Sequence, residues 1–208
     1  METTRYGYSI DMIVIHFTAS GSAASTIDWF RNPHSKVSVH YVLGRDGRVY
    51  QMVKDEHRAH HAGQGPLPGL SPEVGEQRRR RNLIIQPNSR SIGIEIVNWG
   101  ELRHRDGKFY LWVGKEYTGE VVQAGGRYWQ PYTEAQYASL IPLVAYLCRK
   151  HGIPAQYPPL GPGVFDPEAE RLAHFRGILG HQALDNLKSD PGPHFDWQRL
   201  LEGVRREV

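Results

Sequence analysis

"DMIVIHF" (residues 11–17) is a short β-branched, apolar run that breaks at once into the small-residue stretch "TASGSAAS". A run of this length bounded by turn formers reads as a buried strand. His16, at its far end, shares a face with Met12 and Val14. On its own it reads either as a satisfied core histidine or as a ligand that a rigid strand holds at the mouth of a flexible loop. Two later runs have the same character. In "SIGIEIVNWG" (91–100) Ile92, Ile94 and Ile96 lie on one face, so Glu95 projects from the other. Ile178, Leu179 and Gly180 lead into His181 as a further strand end.

Between these strands lie helical and turn signals. Ser25 with Asp28 predicts the start of a short helix carrying Ile27, Trp29 and Phe30. "VSVHYVLGRDGRVYQMV" (37–53) predicts two strands joined by a primed turn at Asp46–Gly47. The clearest helix is 133–153. Thr133 and Gln136 form a capping box, Tyr137, Leu140, Ile141, Val144, Leu147 and Cys148 repeat at helical spacing, and Gly152 ends it. Pro142 inside it should bend or shift the helix. "DWQRLLEGV" closes the chain as a short helix. Strands interleaved with helices and one hairpin give an α/β fold, a central mixed β-sheet flanked by helices. The expected organisation is a single domain over 1–208 with a loop at 64–90 and an insertion at 101–132, the latter carrying strand-like "KFYLWV" and "GRYWQPY".

Composition narrows the function classes. At 208 residues and 39% apolar content the chain can bury a core, and no stretch approaches the roughly 18 apolar residues of a membrane span. The first strand begins too early for a secretory leader, so synthesis in the cytoplasm is expected. Cys148 is the single cysteine and reads as a core residue. A formal charge of +3 is no nucleic-acid footprint. "RRRR" at 78–81, placed in the loop, is a solvated turn or an attraction to an anionic surface. The insertion's aromatics, Trp112, Trp129, Tyr110 and Tyr128 among them, are expected to pack more than to stack on sugars.

Chemistry concentrates in "GHQALDNLKSDPGPHFDW" (180–197), too rich in Asp, Asn, Gly and Pro for a regular element. His16, His181 and Asp190 would supply the three imidazole or carboxylate ligands of a catalytic zinc site, although no tight local signature is present. Of the other histidines, His40 faces either cleft or interior, His60 points away from His61, and His174 and His194 are surface or packing residues.

Taken in order, "IVIHFTAS", "VSVHYVLGRDGRVYQMV", "HRAHHAG", "SIGIEIVN" and "GH…KSDPGPHFDW" resemble the zinc-dependent N-acetylmuramoyl-L-alanine amidases of type 2, relatives of peptidoglycan recognition proteins and of phage T7 lysozyme. The resemblance covers 11–63, 91–98, 133–152 and 176–200. It implies one Zn2+ on His16, His181 and Asp190, with Glu95 activating water and Lys188 stabilising the oxyanion. It also implies that His61 lines the substrate cleft. Val39 stands where T7 lysozyme has a catalytic tyrosine, which moves the chain toward members that rely on the glutamate. The loop from His181 is one residue shorter than in the cytosolic members, which leaves Asp185 as a rival ligand. The implied activity is hydrolysis of the amide between N-acetylmuramic acid and L-alanine in peptidoglycan or muropeptides, by a monomer without nucleic-acid or membrane partners. The expected setting is a phage or prophage endolysin acting on the cell wall, with recycling of anhydro-muropeptides in the cytosol as the alternative and binding without cleavage as a third reading.

Overall fold

The computed structural model describes residues 4–63 and 69–208. In chain order the elements are β1 (Met12–Phe17), α1 (Ala23–Arg31), β2 (Tyr41–Leu43), β3 (Val49–Gln51), α2 (Pro72–Ile85), α3 (Pro87–Arg90) and β4 (Ser91–Ile96). The insertion then supplies β5 (Glu101–Arg105), β6 (Lys108–Tyr110), β7 (Glu116–Tyr117), β8 (Val122–Ala124) and β9 (Arg127–Trp129). The chain closes with α4 (Glu134–His151), α5 (Ala169–Ala173), β10 (Gly177–Gly180), α6 (His181–Leu184) and α7 (Trp197–Glu207).

The main sheet has the order β10-β1-β4-β2-β3, parallel except for the edge strand β3. Buried parallel strands need both faces covered, and alternation supplies two apolar faces. Ile13, Ile15, Ile92, Ile94, Ile96 and Ile178 pack under α4 and α7. Met12, Val14 and Leu179 pack on the other side against Ile85 of α2 and Leu172 of α5. The mixed sheet flanked by helices agrees with the sequence pattern. So does α4, with its Thr133–Gln136 capping box and Gly152 cap. It runs through Pro142, whose exposed position lets solvent meet the backbone carbonyl left without a donor. Cys148 is buried in the larger core.

Three local expectations are corrected. Most of 69–90 is helical, not loop: Ser71 accepts from Val74 N, Pro72 opens α2, and Gln86 ends it in the left-handed region. Apolar spacing gave no warning because four arginines occupy its middle. Residues 64–68 of the expected loop lie outside the described residues. The first helix is capped by Ser22, which accepts from Ser25 N, because Ala23 and Ala24 extend it by a turn. The β2–β3 hairpin around Asp46–Gly47 forms as expected but not through a two-residue primed turn: its loop runs from Gly44 to Arg48, closed by Gly44 N to Arg48 O at 2.8 Å, and only Gly47 of the pair has positive φ. The insertion forms its own antiparallel sheet, ordered β7-β6-β5-β9-β8.

Candidate metal centre and cleft

The register of the parallel strands assembles the site. Ile15 pairs with Gly180 and His16 pairs with Glu95. His181, the residue after β10, therefore stands in one row with His16 of β1 and Glu95 of β4, at the carboxyl ends of the strands where open α/β sheets bind ligands. Asp190 arrives from the following loop, whose carbonyl accepts from Gln182 N at 3.1 Å. Gly180 allows this approach, since a Cβ there would lie 2.7 Å from Pro191 Cδ. Asp190 Oδ2 lies 2.8 Å from His16 Nδ1 and 3.1 Å from His181 Nδ1, and the two Nδ1 atoms are 3.1 Å apart. All three side chains are buried, and these atoms lie within 4.8 Å of one another.

A hydrogen-bond chain fixes the histidine tautomers. Ser91 Oγ donates to the Pro87 carbonyl, so it must accept from His61 Nε2–H at 3.2 Å. His61 Nδ1 is then bare and accepts from His16 Nε2–H at 2.9 Å. His16 Nδ1 is left without a proton, facing the Asp190 carboxylate. Burial, and then the neighbouring His181, lowers the His16 pKa to about 4, and burial likewise holds His61 well below its ordinary value. Burial alone would raise the Asp190 pKa, yet it is lowered, the neighbouring His181 being the largest opposing influence. Two proton-free, electron-rich atoms in contact are in the state that a divalent cation requires. Gly93 makes room for His61, since a Cβ there would lie 2.6 Å from its ring.

Glu95 lies in the same cleft. Burial, and then the charge of Asp190, pushes its pKa well above the ordinary value, while Lys188 opposes the rise. Its Oε2 is buried without a hydrogen-bond partner among the described residues. A buried carboxyl oxygen with nothing to bind is a place for a substrate atom or a water. The cleft encloses about 690 Å3 and is also lined by Lys188, Trp29 and Trp112. Trp112 donates Nε1–H to Ala19 O at 2.8 Å, yet its side chain remains 56% exposed.

The structure thus brings His16, His181 and Asp190 together and places Glu95, Lys188 and His61 around them. Asp185 is elsewhere, paired with Arg78. His40 faces the interior, accepting from Gly93 N at 3.0 Å, and His174 is exposed. His194 packs between Trp129 and Tyr132, each ring centroid 5.0 Å away. His60 is half-buried and bonded to Arg58 at 2.8 Å. Sequence reasoning passed over Ser91, whose only signal is its position four residues before Glu95 on the same strand face. Arg78 was expected in a solvated or anion-attracting run and Trp112 as a packing ring, whereas Arg78 is largely buried against Asp185 and Trp112 stays exposed at the cleft.

A family model described as N-acetylmuramoyl-L-alanine amidase matches residues 6–193. The chain belongs to this amidase family. Among curated members it is 26% identical over 204 residues to the amidase AmiD of Escherichia coli, covering 93% of this chain and 52% of that protein. It is 26% identical over 171 residues to the 1,6-anhydro-N-acetylmuramyl-L-alanine amidase AmpD of Haemophilus influenzae, covering 82% and 60%. The chain therefore spans little more than half the length of these family members. The solved E. coli AmiD, in complex with its substrate anhydro-N-acetylmuramic acid-L-Ala-D-gamma-Glu-L-Lys, superposes with a TM-score of 0.57 at 24% identity, covering 95% of this chain and 58% of that one, and shows the shared fold. Among the described residues no helix is long and apolar enough to cross a membrane.

Proposed function

We propose that the protein is a zinc amidase that hydrolyses the amide between the lactyl group of N-acetylmuramic acid and L-alanine, acting as a monomer on peptidoglycan or its fragments. The observation that carries this reading is the convergence of His16 Nδ1, His181 Nδ1 and Asp190 Oδ2 beside an unpartnered Glu95 oxygen. Two imidazoles and a carboxylate fit the ligand set of a catalytic zinc with an open position. Zinc held there supplies Lewis acidity and a water ionisable near neutral pH.

The remaining steps belong to the side chains. Glu95 faces the cleft with a raised affinity for protons, so it takes the proton of the attacking water and returns it to the departing L-alanine nitrogen. Lys188 lines the same cleft and places a positive charge where the carbonyl oxygen becomes an oxyanion, a contribution of about 3 kcal/mol for a well-placed donor. His61 lines the same cleft and holds the His16 ring.

Two settings share this chemistry. An endolysin or other wall-acting role is supported by Trp29 and Trp112, which rim the cleft at 54% and 56% exposure and offer ring faces to a glycan strand. Processing of soluble anhydro-muropeptides is supported by the likeness to AmiD and AmpD over most of the chain. The test pairs metal analysis of wild type and Asp190→Ala with mass spectrometry of the products. Stoichiometric zinc lost in the variant, and free L-alanine-terminated peptides from wild type alone, are expected. Dye release from intact sacculi selects the wall-acting role, and activity confined to anhydro-muropeptides selects the other. A metal-free, fully active wild type removes the zinc mechanism.

A further inference from the structure

A second cavity, of about 580 Å3, lies between α2 and the segment from α5 to α6. It adjoins the metal cleft, because Gly63, Arg78, His181 and Leu187 line both. The chemistry above makes no use of it. Its wall carries Arg78, Arg80 and Arg81, opposed by the carboxylates of Asp185 and Glu170.

Two of the guanidinium groups are held rigidly. Arg81 donates Nε–H to Leu184 O at 2.8 Å and Nη1–H to Pro167 O at 3.3 Å, with its Cζ 4.5 Å from the centre of the Phe165 ring. Arg78 donates from Nη2 to Asp185, in a pair whose side chains are only 12% and 13% exposed. Even so, Arg78 Nη1 and Arg81 Nη2 are buried with no hydrogen-bond partner among the described residues. Buried cationic donors left unpaired are costly and call for an acceptor. Arg79 and Arg80 are exposed and pair with Glu76, Arg80 while also lining this cavity, so Arg78 and Arg81 are the half of the basic run held inward.

A planar fork with spare N–H groups matches a carboxylate better than any neutral acceptor. In the substrate proposed above, the lactyl carboxyl is consumed in the scissile amide, so the free carboxylates lie on the peptide side. We propose, resting on that amidase reading, that Arg78 and Arg81 form a carboxylate-recognising subsite that accepts an acidic residue of the stem peptide and discriminates against its amidated counterpart. Arg78, on the wall common to both cavities, receives the carboxylate first. Asp185 and Phe165 hold the two guanidinium planes in place.

The test uses the full chain and two soluble muropeptides identical but for one group, a free α-carboxylate or a carboxamide on the second peptide residue. The readout is the ratio of kcat/KM for acid over amide. Wild type is expected to favour the acid by about tenfold or more, because a site built for a polar partner rejects the analogue that lacks it. Arg78→Gln and Arg81→Gln should each lower the ratio at least threefold, through KM. A partial loss of folded enzyme changes both rates equally and leaves the ratio intact, and Arg78→Lys and Arg81→Lys serve where the glutamine variants do not fold. A wild-type ratio near one overturns the proposal, as does a ratio unchanged in both variants. Hydrolysis of neither substrate by wild type removes the amidase reading itself, and the subsite with it.

Discussion

Ser91→Ala is the sharpest perturbation of the tautomer chain, because the removed atom is two hydrogen bonds from the nearest proposed metal ligand. Ser91 is fully buried, and its Oγ takes the proton of His61 Nε2 while giving its own to the Pro87 carbonyl. Without it, His61 keeps a buried N–H with no acceptor, at a cost of about 1–3 kcal/mol. The ring can escape by moving its proton to Nδ1, but that nitrogen lies 2.9 Å from His16 Nε2–H. Two protons cannot occupy that contact. His16 must then carry its proton on Nδ1, the atom aimed at Asp190, and its lone pair is lost to a metal. Either route weakens the site. Loss of an outer partner of a ligand histidine typically reduces metal affinity about 10- to 100-fold, which is about 1.4–2.7 kcal/mol. The assay is zinc competition against a chelator of known affinity at fixed pH, beside thermal melts of the metal-stripped proteins. A metal affinity equal to wild type, with any loss confined to the melting temperature of the stripped protein, would refute the chain as an orienting device.

Three further outcomes follow from the same geometry. Glu95→Gln should retain zinc and lose about 100- to 10,000-fold in kcat, the usual worth of a positioned general base, as read by single-turnover product formation; full activity would remove Glu95 from the mechanism. Asp55 sits under hydrogen bonds from Tyr41, Lys150 and His151, which overcome the effect of its burial and bring its pKa down to about 2. A depressed carboxylate stabilises the fold above its unfolded value near 4 and loses that contribution as pH falls through about 2, so Asp55→Asn should remove about 2 kcal/mol at neutral pH and flatten the acid limb of the stability curve. Chemical denaturation from pH 2 to pH 7 measures both, and an unchanged acid limb contradicts the assignment. Trp112→Ala should lower turnover of insoluble sacculi roughly fivefold, about 1 kcal/mol, and spare a small muropeptide; equal losses on both substrates would place the ring in general packing.

The parts of the fold legible in the sequence are those where one physical pattern dominates. A bounded apolar run in β1 and strict alternation in β4 gave the strand character, and the two-residue period of a strand gave the side from which His16 and Glu95 project. Capping box, apolar spacing and terminal glycine agree for α4. The proposed ligands were legible in part as strand ends. Their union depends on register, which sequence does not state: shifting β10 by one residue against β1 would turn His181 to the opposite face. Ser91 was invisible for the same reason. A buried serine on a strand carries no signal until the ring of a residue thirty positions earlier is seen above it.

The basic run shows where composition misleads. Four consecutive arginines in a stretch with little apolar content suggest a solvated loop, and helix propensity alone is too weak to argue otherwise. What makes α2 a helix is tertiary: Ile85 enters the smaller core, Gly75 is buried, and Arg81 reaches across to the carbonyls of Leu184 and Pro167. A helix buries residues 78 and 81 against the α5–α6 segment and lets the exposed 79 and 80 reach Glu76, so four identical side chains acquire two different fates. Charge counting treats them as one cluster. The backbone divides them, and it is the inward pair, beside His181, that gives the wall of the cleft its chemical preference.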